Sequence, residues 1–119
     1  MKDLSQENIQ RINAKVAELC GWTNIVHRHS HSYGTSPKGE PFCIVPNYWQ
    51  SLDACAEMEE SLRKNQFHYV NYPRELFKLV TGRAWDGDFG YFLFDFTFAT
   101  APQRVTAFLS VHNLTIEEI

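Results

Sequence analysis

The sequence predicts an α+β fold: a single domain in which a mostly antiparallel sheet lies between helical layers. Three observations predict it. Apolar residues recur at three- and four-residue spacing at Ile9, Ile12, Val16 and Leu19, and again at Val105, Phe108 and Leu109. That is the buried stripe of an amphipathic helix. Between these stretches, Phe92, Phe94, Phe96 and Phe98 alternate with Tyr91, Leu93, Asp95 and Thr97. This is strand periodicity, with one face wholly aromatic and the other half apolar. A strand apolar on both faces needs a layer on each side of its sheet. The chain of 119 residues suits one domain over 1–119 with one core of its own.

In chain order, the first helix carries Ile9, Ile12, Val16, Leu19 and Cys20 on one face. Asp3 or Ser5 caps it, and Gly21 stops it in a left-handed conformation so that Trp22 folds back on the stripe. Ile25 and Val26 begin a strand that runs into His27-Arg28-His29-Ser30-His31-Ser32-Tyr33. Gly34 to Gly39 has turn chemistry, and Phe42-Cys43-Ile44-Val45 reads as a short buried strand ended by Pro46. A second helix begins near Ser51 with a buried stripe of Leu52, Cys55, Met58 and Leu62. Its wet face pairs Glu59 with Arg63 and Glu60 with Lys64.

Phe67-His68-Tyr69-Val70 reads as a short strand. Pro73 suits the first turn of a third helix, with Leu76, Phe77 and Val80 as its contacts and Gly82 as its end. Asp86-Gly87-Asp88 is a turn, too short in oxygen ligands for a calcium loop. Thr100-Ala101-Pro102-Gln103 is a capping box that opens the last helix, and Asn113 closes it. The tail, 114–119, is read as flexible or partner-bound.

Composition narrows the function. The net charge is −3, and the basic residues are scattered, at Arg63 and Lys64, Arg74 and Lys78, and Arg83. That excludes a general nucleic-acid binder, which shows a basic excess or stripe. The three cysteines, Cys20, Cys43 and Cys55, form no Cys-x-x-Cys pair. Their odd number and apolar surroundings point to buried thiols in a reducing compartment, hence a cytoplasmic protein. No run approaches the ~20 apolar residues that span a membrane, and no apolar leader opens the chain. There is no Gly-rich phosphate loop, no Gly-x-Ser-x-Gly and no paired metal-hydrolase histidines on a helix.

Three blocks together carry a family resemblance. They are Val16-Ala17-Glu18-Leu19-Cys20-Gly21-Trp22; then Pro46-Asn47-Tyr48 with Ser51-Leu52-Asp53-Ala54 and Glu57-Met58-Glu59; then Thr100-Ala101-Pro102-Gln103-Arg104 with Ala107-Phe108-Leu109. In order and spacing they resemble the phage α-β-α sandwich domain family of small phage and prophage proteins. The resemblance implies a sheet between helical layers, a phage origin and an accessory role in the infected host. It carries over no catalytic residues and no cofactor. The His-rich segment and the four-Phe strand depart from the family pattern.

Several constellations could carry chemistry. In an extended strand His27, His29 and His31 project to one side, where three imidazoles could bind zinc or nickel. The alternatives are a polar loop edge, or an anion-contacting loop using Arg28 with His and Ser donors. Tyr48 and Trp49 either stack on a planar ligand or pack into the core as a helix staple. Tyr69 and Tyr72 beside Arg74 form a second aromatic-basic cluster. Asp95 is either a ligand-binding carboxylate or a paired one.

The expected function is therefore a non-enzymatic accessory protein that sequesters a small anionic, nucleotide-derived host molecule. Arg28, His29, His31, Tyr33, Tyr48 and Trp49 are its expected ligand-binding residues, with no metal and no cofactor, and a homo-oligomer in which protomers share sites is compatible with it. The competing expectations are a protein-interaction module that inhibits a host protein, and a metal-dependent enzyme centred on the histidines.

Overall fold

Ser5 starts the first helix, α1 (Gln6–Leu19), by accepting a hydrogen bond from the Asn8 amide at 3.2 Å. At the other end Gly21 takes φ 104°, its N–H donating to the Glu18 carbonyl and that of Trp22 to the Ala17 carbonyl. This paired closure turns Trp22 onto the buried stripe of Ile9, Ile12, Val16 and Ala17. The coordinates are a computed structural model that describes residues 4–29, 31–82 and 99–119. The four-Phe strand, Asp95 and the Asp86–Asp88 turn lie outside the described residues.

The sheet departs from expectation. Its strands β1 (Thr23–His27), β2 (Ser32–Thr35) and β3 (Cys43–Ile44) pair antiparallel in that order. The His-rich stretch is no single strand. The chain reverses within it, where the Arg28 N–H donates to the His31 carbonyl at 2.9 Å, and Val26 pairs with Tyr33 and His27 with Ser32. The second reversal runs through residues 36–42, closed by the Gly39 N–H on the Ser36 carbonyl. Gly34 therefore belongs to a strand. A Cβ there would stand 3.0 Å from the Thr23 carbonyl oxygen and 3.2 Å from Ile25 Cγ1, so the residue serves close strand approach rather than a turn. Of the expected Phe42–Val45 strand, Val45 is buried in the core and Cys43, half-buried, packs against it; Phe42 and Ile44 are exposed.

The second helix, α2 (Leu52–Ser61), is capped by Ser51, whose hydroxyl accepts from the Ala54 amide. Cys55, Met58 and Leu62 are buried as expected, but Leu52 is exposed, so the stripe ends one turn short. The expected ion pairs are replaced: Arg63 pairs with Glu60, and Glu59 turns to Arg104.

The third helix, α3 (Gln66–Thr81), contains Phe67–Val70, expected as a strand, and holds Pro73 in its interior. Aromatic and β-branched residues favour strand locally. Here the Asn65 side chain caps the His68 amide at 3.2 Å, and Tyr72, Leu76 and Phe77 reach the core only from a helix. Pro73 removes one N–H from that helix, and tertiary packing overrides the loss.

In the last helix, α4 (Ala101–Val111), both halves of the capping box form, Gln103 N–H to Thr100 Oγ1 at 3.2 Å and Thr100 N–H to Gln103 Oε1 at 2.9 Å. Asn113 (φ 62°) closes it, with Asn113 and Leu114 donating to Ser110 and Leu109. Residues 114–119 then lie along the core through Leu114, Ile116 and Ile119. Among the described residues the chain thus has four α-helices and a three-stranded antiparallel sheet, an α+β fold. No helix among them is long and apolar enough to cross a membrane. α4 packs against α2 and α3 around Met58, Phe77, Val105 and Phe108, all fully buried.

The α3–α4 seam holds a histidine pair. The His112 ring packs at a tilt against His68 and Phe108, with centroids 4.2 Å and 4.5 Å away, and its Nδ1–H donates to the Phe108 carbonyl. Burial, reinforced by the His68 charge, holds His112 below the ordinary histidine value, while the carbonyl bond opposes this. A histidine depressed in the fold binds fewer protons folded than unfolded. Its contribution to stability is complete above the unfolded value, about pH 6.5, and is lost as pH falls through the folded value. Thermal melts at about pH 7.5 and about pH 5.5, either side of that value, should therefore show a smaller acid loss for His112→Phe than for the parent. Equal losses would show that His112 does not set the acid limb.

Candidate functional site

The outer face of the hairpin is built by strand pairing. Directly paired residues of antiparallel strands point the same way, so Val26, Tyr33 and Ile44 form one cross-strand row. A bulge shifts the register between Thr23 and Val26, and Asn24 there adopts φ 54°. Beside this row lies a groove of about 370 Å3. Arg28 at the tip, Tyr33 and Thr35 on β2, Asn24 and Val26 on β1, and Phe42 entering β3 line it. Asn24 Nδ2 donates to Thr35 Oγ1 at 3.5 Å.

The tip is tied to α1 from behind. Gln10 Nε2 donates to the Arg28 carbonyl at 3.0 Å and to Ser32 Oγ at 3.1 Å. Ser32, nearly fully buried, also meets His27 Nδ1 at 2.7 Å. The Arg28 backbone is thus tied to α1, and Arg28 lines the groove.

The reversal separates the histidines. His27 points to the Ser32 side and His29 is exposed at the tip. His31 lines a different groove with Gln6, Gln10 and Asn13. The one-sided imidazole row is replaced by this arrangement. Among the described residues no three His, Cys, Asp or Glu side chains come together to hold a metal.

Tyr48 and Trp49 are brought elsewhere, to the core, at 1% and 6% exposure. The Trp49 amide donates to Asn13 Oδ1, and Asn13 Nδ2 donates to Asn47 Oδ1, both at 2.9 Å. Burial pushes the Tyr48 phenol well up, so it stays protonated. Of the expected binding residues, Arg28 and Tyr33 share the groove. Phe42, Asn24 and Thr35 join them unforeseen. The sequence signal for Phe42 was its place after Pro41, at the end of a polar turn, where a buried strand residue is out of place.

A second polar group sits between helices. Glu59 Oε2 accepts from the Tyr72 hydroxyl and from Arg104 Nη1 at 3.0 Å, and Arg104 Nε donates to the Ala99 carbonyl at 3.2 Å. Burial, with the Glu59 charge behind it, pushes the Tyr72 phenol up. The same burial raises Cys55 to about 11 and also raises Cys20, so neither thiol is poised as a nucleophile. This clasp joins α2, α3 and α4.

Chemically the groove offers one guanidinium, amide, hydroxyl and phenol groups, and apolar walls. Those are groups for holding an anion and a flat ring. Compared with known proteins, the chain matches no protein-family model, no curated protein and no solved structure.

Proposed function

We propose that this chain is a non-enzymatic binding protein that sequesters a small anionic, nucleotide-derived molecule in the groove on the outer face of its hairpin. The observation that carries this reading is the meeting of Arg28 and Tyr33 on one concave surface of about 370 Å3. That volume lies within the ~300–1,000 Å3 of small-ligand sites. A guanidinium presents two parallel N–H groups to a phosphate. Tyr33 and Val26 supply a surface for a base, and Asn24 and Thr35 supply polar groups for its edge or a sugar. With a net charge of −3 the rest of the chain does not favour long polyanions, which fits a small ligand.

The resemblance to phage α-β-α sandwich proteins supports the setting in this proposal. The protein would be phage-encoded, act in the cytoplasm of the infected bacterium, and remove a nucleotide signal used in host defence. A sheet held between helical layers belongs to the same proposal, and homo-oligomers would repeat the site.

The test is mass spectrometry of small molecules released by heating protein incubated with lysate of phage-infected cells. A nucleotide-like species in near-equal amount to protein is expected. Arg28→Ala should reduce retention about tenfold or more, the loss of a charge-assisted hydrogen bond, and Tyr33→Ala should reduce it as well, both with unchanged circular dichroism. Retention unaffected by either change would sink the assignment.

The runner-up, a protein-interaction module, is favoured by the exposure of Val26 (47%), Ile44 (55%) and Phe42 (89%) on the same side. A stoichiometric host protein in pull-down, with no small molecule released, would select it.

A further inference from the structure

Among the described residues, three that are not glycine have left-handed backbones: Asn24, Phe42 and Asn113. Asn113 is explained, because it closes α4. The other two both line the Arg28–Tyr33 groove, Asn24 from the β1 bulge and Phe42 from the start of β3. Asparagine tolerates that conformation; a bulky aromatic does not, and glycine would be the ordinary residue there. Phe42 is also 89% exposed. Its ring therefore recovers no burial in return for the strained φ of 58°. Backbone strain kept at the rim of a groove, on a side chain that stabilises nothing else, is the pattern of a ligand-facing residue.

We infer that Phe42 is the second aromatic wall of the groove, and that the ligand must carry a planar heteroaromatic ring together with its anionic group. The ring lies against Phe42 and Tyr33, and the anion meets Arg28. The complementarity of one cation with apolar and aromatic walls selects this occupant over inorganic phosphate or a sugar phosphate, which would leave the Phe42 ring in water. This inference rests on the reading of the groove as a site for an anionic, nucleotide-derived ligand and adds the residue that holds its ring.

The experiment compares AMP, GMP, CMP and UMP with ribose 5-phosphate, at millimolar concentration, by calorimetry or ligand-observed NMR. The parent protein should bind at least one nucleotide about tenfold more tightly than ribose 5-phosphate, a stacking contribution of ordinary size. Phe42→Ala should abolish that difference, and Phe42→Tyr should keep it. Phe42→Gly should also abolish it while raising the melting temperature, because it relieves the left-handed strain. That rise separates lost binding from lost folding.

Nucleotide binding equal in the parent and Phe42→Ala overturns the inference and leaves the groove reading intact. No nucleotide binding by the parent, or binding untouched by Arg28→Ala, overturns the groove reading itself. Self-association lost in Phe42→Ala with nucleotide binding unchanged overturns the inference and assigns the ring to an interface between copies.

Discussion

Phe108→Ala is expected to lower the unfolding free energy by about 3–5 kcal/mol, the range for deleting a buried phenyl. Phe108 is fully buried on α4, against the His112 ring at 4.5 Å. Removing the ring forfeits its transfer free energy and leaves a cavity that helices capped at both ends collapse into only partly. For a chain of this length the melting temperature should fall by roughly 10–20 °C. Urea denaturation of Phe108→Ala beside Phe67→Ala provides the internal control, because Phe67 is 67% exposed. The control should change stability by no more than about 0.5 kcal/mol. A loss under about 1 kcal/mol at Phe108, well below the buried-phenyl range, would mean the α3–α4 seam is not the core of the fold.

Arg104→Met should be the next most damaging change, at about 2–3 kcal/mol. The full cost of breaking a buried pair is about 3–5 kcal/mol, and partial exposure reduces it. The Arg104 and Glu59 side chains are 16% and 26% exposed and 3.0 Å apart. Without the guanidinium, the Glu59 carboxylate stays between helices, still accepting from the Tyr72 hydroxyl. Adding Glu59→Leu should recover part of the loss, since an apolar pair requires no desolvated charge. A double-mutant cycle by chemical denaturation reads the coupling directly. Coupling below about 0.5 kcal/mol would place the pair with ordinary surface ion pairs and remove its role in holding α2 to α4.

This clasp was invisible in the sequence for a definable reason. Glu59 stands four residues before Arg63, and that spacing makes a local pair on any exposed helix face. Its actual partner is 45 positions away. The same short-range reasoning misread Phe67–Val70. The four residues have strand propensity, and nothing within them reveals that Tyr72, Leu76 and Phe77 must share a helical face with the core. His27, His29 and His31 likewise read as a one-sided row only while the strand is taken to continue. The chain reverses between Arg28 and His31, where Gln10, on another element, donates to the Arg28 carbonyl.

The groove shows the same division. Arg28 and Tyr33 were legible as binding candidates because they are close in sequence and chemically suited to an anion and a ring. Tyr48 and Trp49 were drawn into that set by residue type alone. Their burial follows from Asn13, on α1, which fixes the 47–50 turn against the core. Phe42 escaped because apolar neighbours at Ile44 and Val45 suggested a buried strand, whereas its left-handed backbone turns the ring outward.

By itself, the sequence determined where α1, α2 and α4 begin and most of their buried stripes, but not the start of α3. The Ser5 and Ser51 caps, the Thr100–Gln103 box and the Gly21 and Asn113 closures all stand as their local chemistry requires. These features satisfy backbone groups within a few residues, so a short window contains both donor and acceptor. Tertiary structure alone decided where the hairpin turns, which carboxylate meets Arg104, and which aromatics are core and which face the groove. Those outcomes rest on contacts between residues far apart in the chain, where the free energy of a side chain depends on what the fold brings against it.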